Sequence, residues 1–233
     1  MNTEDIVAHL KKHANNQQVS NMKRYAIDTT NALGVPLSIL RPYAKKIGTN
    51  HLQALNLWQT NIHEARLLAT MIDDPKKVDE QQMEQWVDDF QCWDLCDQCC
   101  LNLFDKTTYT LKKIQEWTQR REEFVKRAGF VLIAALAIHD KKAKDEFFDQ
   151  FYPLIQRECG DERIYVKKAI SWALRSIGKR NQALNQRAIE IANELLKKKN
   201  KTSKWIATKT INELTSQKIQ NRISKKIIKR KKS

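Results

Sequence analysis

Apolar residues recur every three or four positions along most of the chain, which is the spacing of one face of an α-helix. Short polar breaks divide this pattern into about thirteen helical segments. Thr3, Ser38 and Asp79 stand where an N-cap is expected. The pattern predicts an all-α fold.

Five of the later segments resemble one another in their apolar spacing. When they are aligned on one position each, the aligned residues are Ala65, Asp97, Ala128, Ala169 and Ile206, with spacings of 32, 31, 41 and 37 residues. Irregular two-helix repeats of this length are typical of HEAT-type arrays. The sequence therefore predicts a right-handed α-solenoid of HEAT-like repeats, curved around a basic concave groove. One repeat domain is expected over residues 1–216, followed by a basic tail at 217–233.

The composition supports a helical, intracellular protein. The 233 residues include only five glycines and four prolines, whereas strand-rich folds need turn residues far more often. No apolar run approaches the roughly 20 residues of a membrane span, and the charged N-terminus lacks a secretory apolar region. The five cysteines are expected to be reduced thiols, and the location is expected to be cytoplasmic, at the bacterial nucleoid.

The net charge of +15 is concentrated at the C-terminus. Residues 197–233 hold fourteen Lys or Arg and one acid, a net charge of +13, and the rest of the chain has a net charge of +2. Such a tail is typical of an anchor for nucleic acid. Ile219, Ile223 and Ile227 recur every four residues, so a basic amphipathic helix on a membrane surface stays open. A solvated, frayed end is the third alternative.

The stretch QCWDLCDQCC at 91–100 contains four of the five cysteines. On a helix, Cys92, Cys96 and Cys99 share one stripe with Cys100 at its edge, and no second Cys or His cluster completes a zinc motif. They are therefore interpreted as small apolar core residues, and no metal or other cofactor is expected.

Trp93 and Asp97 lie four residues apart and share a neighbouring face of the same helix. Asp97 also stands where the other repeats carry Ala or Ile, so we expect its carboxylate to face water in a cleft or a cation. An aromatic ring beside a carboxylate suits the stabilisation of a cationic reaction centre.

Three motifs, CWDLCD, EFVKRAGF and VKKAISWALR, together with the stretch that begins MKRYAIDTTNALGV, resemble the alkylpurine DNA glycosylases of the AlkD type. The similarity runs from about Met22 to Ser216. The resemblance implies a DNA glycosylase that excises purines alkylated at N3 or N7, such as 3-methyladenine and 7-methylguanine, in base excision repair. It also implies that the base is not flipped out of the duplex, and that the partner is double-stranded DNA.

The resemblance also assigns roles to residues. Asp97 becomes the catalytic carboxylate, Trp93 and Trp172 the aromatic walls of the cleft, and Arg127 the residue that anchors the DNA at the lesion. Tyr25 matches a tyrosine of the second helix in that family. The expected phosphate contacts are Lys126, Lys167, Lys168, Arg175, Lys179, Arg180 and Lys204.

Two alternatives remain open at this point. A non-catalytic paralogue would recognise bent or branched DNA through the basic groove without releasing a base. A helical-repeat scaffold for a protein partner would show little salt-dependent DNA affinity. The chain is expected to be a monomer without membrane contact.

Overall fold

The computed structural model describes residues 2–230, with side chains described for residues 2–225. Within that range the chain is helical and has no β-strand. It divides into two compact units, Met1–Leu111 and Lys112–Ser233. The prediction of an all-α fold is confirmed.

The described part of the first unit is built from seven α-helices and one short 3-10 helix. These are α1 (Thr3–Lys12), α2 (Asn16–Arg24), α3 (Leu37–Ile47), α4 (His51–Gln59), α5 (His63–Ile72), α6 (Glu80–Asp88), α7 (Trp93–Asn102) and the 3-10 helix Phe104–Lys106. The next helix, α8 (Thr110–Trp117), begins in the first unit and ends in the second.

The second unit continues with longer helices. These are α9 (Glu123–His139), the 3-10 helix Asp145–Phe151, α10 (Tyr152–Glu158), α11 (Ile164–Gly178), α12 (Gln182–Lys197), α13 (Lys201–Leu214) and α14 (Gln217–Arg230).

In the first unit, α5 lies at the centre of the core. It packs against α3, α4 and α7, and nearly all of its residues are buried. Beside it, the indoles of Trp58 and Trp86 stack with their centroids 3.8 Å apart and their planes within 4° of parallel. These contacts hold α5 against its neighbours, and the stacked indoles join α4 to α6.

In the second unit, α9 has the same central place. Residues 125–137 form an unbroken buried run, and α9 packs along α11. A Cβ on Gly129 would lie 2.8 Å from the backbone nitrogen of Thr118, which explains a glycine in the middle of a helix.

The five similar segments found in the sequence correspond to alternate helices. The five aligned residues lie on α5, α7, α9, α11 and α13, and all five are buried. The alignment therefore identified one helix of each pair, and its aligned position is a packing position.

The helix α14 continues the second unit instead of leaving it. Ile219 and Ile223 are buried, and α14 packs on α13. Ile227 lies outside the residues whose side chains are described. The apolar face predicted for an amphipathic helix exists, and its Ile219 and Ile223 are covered by protein. None of the described helices is both long and apolar enough to cross a membrane.

Candidate functional site

Trp93 and Asp97 lie on α7, one turn apart. Trp93 is the first residue of the helix and is half-buried, whereas Asp97 retains only 7% of its exposed surface. The indole nitrogen Nε1 of Trp93 donates a hydrogen bond of 2.8 Å to the backbone carbonyl of Tyr25. The ring of Trp93 therefore has a fixed orientation at the start of α7.

The segment after α2 supplies that carbonyl and is held in an unusual conformation. Tyr25 is 68% exposed, and Ala26 adopts a φ of 54°, in the left-handed region that non-glycine residues rarely occupy. The buried carboxylate of Glu64 accepts hydrogen bonds from the backbone N–H groups of Leu33 and Gly34, at 2.8 and 2.7 Å. This carboxylate from α5 anchors the far end of the segment.

Beside Trp93, three further side chains meet where α5 and α7 begin. His63 is the first residue of α5, Cys92 is the N-cap of α7, and Asp94 is its second residue. The imidazole Nε2 of His63 lies 2.9 Å from Oδ2 of Asp94. One ligand atom of each of the three side chains lies within 4.8 Å of the other two.

The buried pair of His63 and Asp94 is electrostatically coupled. Burial favours the neutral imidazole, but the hydrogen bond and charge of Asp94 raise the pKa of His63 above its ordinary value. Burial opposes ionisation of Asp94, but the hydrogen bond from His63 lowers the pKa of Asp94 below its ordinary value. Burial and the adjacent Asp94 raise the pKa of the Cys92 thiol.

A polar cavity of about 280 Å³ opens next to these residues in the first unit. Its lining comprises Asp28, Asn31, Asn61, His63, Arg66, Asp89, Gln91, Cys92 and Leu95. The guanidinium of Arg66 is held by Asn61 and Asp89. Neither this cavity nor a functional role for His63 was predicted from the sequence. His63 reaches Cys92 and Asp94 only through the packing of α5 against α7.

Arg127 and Trp172 belong to the second unit, whereas Trp93 and Asp97 belong to the first. Arg127, on α9, is 5% exposed, and its Nη1 donates a hydrogen bond of 2.6 Å to the carbonyl of Tyr165 on α11. Trp172 lies half-buried on α11. Both are held on the packed helix pair α9 and α11.

Two of the predicted phosphate contacts are engaged within the second unit. The ammonium of Lys126 lies 2.7 Å from Glu158 and 3.3 Å from Asp161. The guanidinium of Arg180 donates to the carbonyls of Ala137, Asp140 and Ala143, and it stacks 4.3 Å above the ring of Phe148. We therefore assign these two cations to packing and do not place them among the proposed phosphate contacts.

The remaining predicted contacts differ in how they are held. Arg175 and Lys179 both form ion pairs with Glu213, the one acid among residues 197–233. Lys167 lies 5.6 Å above the ring of Trp205. Lys168 and Lys204 are exposed.

Known structures define the class of this fold. One solved chain is described as belonging to a new family of proteins related to the HEAT-like repeat DNA glycosylases, with affinity for branched DNA structures. It is similar to this chain with a TM-score of 0.75 at 20% sequence identity, over 89% of this chain and 93% of that one. The protein is thus an all-helical HEAT-like repeat protein, as the sequence predicted.

The family follows from the sequence. Residues 6–214 match the family described as DNA alkylation repair enzyme, and the chain belongs to this family. The resemblance found in the sequence motifs is thereby confirmed. No curated protein matches the chain in sequence. The matched region ends before α14 begins.

Proposed function

We propose that the protein is a DNA glycosylase that excises purines carrying a positive charge after alkylation at N3 or N7. The observation that carries the proposal is the buried carboxylate of Asp97, one helical turn after the oriented ring of Trp93. A carboxylate in a site from which water is largely excluded stabilises a developing cation far better than one in bulk water.

The departure of the alkylated base needs little assistance from the protein. Alkylation leaves the purine cationic, so the bond from C1′ to the base breaks with both electrons moving to the base, which departs neutral. The deoxyribose is left as an oxocarbenium-like centre. Asp97 stabilises this centre and orients the water that adds to C1′, and the proton of that water passes to the carboxylate or to solvent.

The aromatic and basic residues act on the sugar and the backbone in this proposal. The ring of Trp93, on the same helix as Asp97, is proposed to contact the cationic sugar through its face. For Trp172, on the second unit, an aromatic contact with the DNA is proposed from the resemblance. Arg127 is proposed to exchange its hydrogen bond to the Tyr165 carbonyl for a backbone phosphate at the lesion, bound through its planar fork. As the resemblance to the AlkD-type glycosylases implies, the lesion is proposed to stay in or near the duplex, without the base flipping that most glycosylases use.

Each unit is proposed to contact DNA separately: the first unit through Tyr25, and the second through Lys167, Lys168, Arg175, Lys179 and Lys204. Lys168 and Lys204 are exposed cations ready to neutralise phosphates. Arg175 and Lys179 are proposed to exchange the carboxylate of Glu213 for a phosphate. Exposed Tyr25 adds an aromatic contact at the strained segment beside Trp93.

The second candidate function is recognition of branched DNA without excision. The observation that favours it is the similarity to the solved chain described as having affinity for branched DNA structures. In this case the same cations bind the backbone, and Asp97 contributes to helix packing alone.

Release of free methylated purine from N-methylated duplex DNA tests the proposal. Wild type is expected to release base, and Asp97→Asn is expected to lose at least about a hundredfold in rate, as expected when one electrostatic stabiliser is removed. The exposed Asp88→Asn variant on α6 carries the same chemical change away from α7 and is the matched control, expected to retain wild-type activity.

DNA affinity, measured on the same proteins by fluorescence anisotropy, separates the two candidates. Asp97→Asn should bind duplex DNA as wild type does. If wild type releases no base yet prefers a four-way junction to linear duplex, the second candidate is correct. Equal rates for wild type and Asp97→Asn would refute the role of Asp97.

A further inference from the structure

The trio of His63, Cys92 and Asp94 combines three kinds of metal ligand in one place. An imidazole nitrogen, a thiol sulfur and a carboxylate oxygen lie within 4.8 Å of one another at the ends of two packed helices. Zinc-class cations bind this combination of nitrogen, sulfur and oxygen at about 2.0–2.3 Å from each ligand atom. The three atoms are therefore close enough to surround one such cation after small side-chain adjustments.

We propose that His63, Cys92 and Asp94 form a binding site for a zinc-class divalent cation that joins the N-terminal ends of α5 and α7.

The charges of the trio suit a divalent cation. A thiolate and a carboxylate together carry two negative charges, which neutralise the cation, and the imidazole binds it as a neutral ligand. Cys92 and Asp94 lie at the N-terminus of α7, where the helix dipole stabilises negative groups. Because metal binding displaces the protons of its ligands, the proton between His63 and Asp94 gives way to the cation.

Two further observations support a cation at this place. The oxygen Oδ1 of Asp94 is buried and has no hydrogen-bond partner, and such an atom is costly to leave unsatisfied. His63 and Cys92 also line the cavity of about 280 Å³, which offers an entry path and room for a water as fourth ligand. Three protein ligands and one open position then complete a tetrahedron.

The site would position Trp93. Trp93 stands between two of the ligands in sequence, and its indole is already fixed to the carbonyl of Tyr25. A cation bound by Cys92 and Asp94 would hold both flanks of Trp93 and tie α7 to α5. This role is independent of base excision and would apply equally to a non-catalytic DNA-binding protein.

Cobalt substitution tests the site directly. After dialysis against a chelator under reducing conditions, wild type is titrated with Co²⁺, and one equivalent is expected to give the near-ultraviolet charge-transfer absorption of a cobalt–thiolate bond. Zn²⁺ should displace the Co²⁺ and abolish the absorption. The expected result for Cys92→Ser is loss of this absorption and a fall in affinity larger than the roughly 10–100-fold caused by losing an outer-shell partner.

The matched control is Cys99→Ser, a buried thiol on the same helix outside the trio, which should keep both absorption and affinity. Circular dichroism checks that each variant is folded. If Cys92→Ser does not fold, Asp94→Asn keeps the side-chain shape and is expected to lose affinity to a similar extent. Absence of a thiolate band in wild type, its persistence in Cys92→Ser, or unchanged affinity in Asp94→Asn would overturn the proposal.

Discussion

Arg180 shows how a single cation stabilises the second unit. It donates to the carbonyl of Ala137 in the last turn of α9, where helix carbonyls otherwise lack partners, and to the carbonyls of Asp140 and Ala143 just beyond the helix. Its guanidinium also covers the ring of Phe148. A charge used in this way contributes to folding through short, fixed hydrogen bonds.

Replacing Arg180 should therefore be costly. We expect Arg180→Met to lower the free energy of unfolding by about 3 kcal/mol, because several carbonyls lose a charged donor at once. Arg187 forms an exposed surface ion pair with Asp149, so Arg187→Met should lower the free energy of unfolding by less than about 1 kcal/mol. Urea unfolding followed by circular dichroism measures both, and equal losses would contradict the assignment.

The roles of individual cations could not be read from the sequence. Lys126 and Lys168 both follow the start of a buried helix, but one is paired with two carboxylates and the other is exposed. The partners of Lys126 lie 32 and 35 residues further along the chain, so only the packing of α9 near the end of α10 reveals them. Trp93 and Asp97 were predictable as a pair because helical spacing alone relates them.

At the scale of elements, helix periodicity was a better guide than capping chemistry. Asp79 caps α6 as predicted, and its carboxylate accepts from the backbone N–H of Gln82. Thr3 and Ser38 were wrong by one and two residues, since Asn2 caps α1 and Pro36 precedes α3. Boundary positions depend on local backbone geometry that several nearby residues can satisfy.

The contact between His63 and Asp94 had one usable signal in the sequence. The two residues are 31 positions apart and stand at nearly equivalent positions in successive repeats, as the first residue of α5 and the second of α7. Equivalent positions in neighbouring repeats are natural candidates for contact. What the sequence lacked was the side-chain geometry that brings nitrogen, sulfur and oxygen together.

The ion-pair cluster between α9 and α10 predicts a pH dependence. Burial opposes the charge of Glu158, but Lys126 and Arg157 lower the pKa of Glu158 below its ordinary 4.5. Burial likewise opposes the charge of Asp161, but Arg163 and then Lys126 lower the pKa of Asp161 below its ordinary 3.8. Because both pKa values are depressed in the folded protein, this stabilisation is complete above the ordinary values and is lost as the pH falls through the folded ones.

Lys126→Met should weaken this dependence. Between about pH 5 and pH 3 we expect the unfolding free energy of wild type to fall more steeply than that of the variant. Urea titrations at several pH values measure the slope, with exposed Lys142→Met as the control that keeps the wild-type slope. Parallel curves for wild type and Lys126→Met would show that the cluster contributes nothing.

For the whole molecule, α14 changes how the basic C-terminus has to be studied. Its Ile219 and Ile223 are buried next to α13, so deleting the segment would uncover apolar surface as well as remove charge. The exposed cations among its described side chains, Lys218, Arg222 and Lys225, lie beyond the region matched by the family. Neutralising these cations while keeping Ile219 and Ile223 separates electrostatics from folding.

The triple variant Lys218→Gln, Arg222→Gln and Lys225→Gln tests the anchor. Its slope of log affinity for duplex DNA against log salt should become shallower by about 0.9 for each cation that contacts a phosphate. Base release at saturating DNA should persist.

The matched control neutralises three exposed lysines elsewhere, Lys76, Lys77 and Lys142, with the same change in net charge. Binding isotherms over a range of salt concentrations measure both slopes. An identical change in the two triple variants would mean that net charge alone, and not α14, determines the slope.

The burial of all five cysteines has a consequence for a protein of the DNA alkylation repair family. Agents that methylate purines also attack thiolates, the most nucleophilic groups of a protein. Every cysteine of the chain is buried and unpaired by disulfide, and burial raises the pKa of Cys99 and Cys100 far above its ordinary value. For Cys99 and Cys100, complete burial and a raised pKa therefore keep the thiol protonated and shielded from such agents.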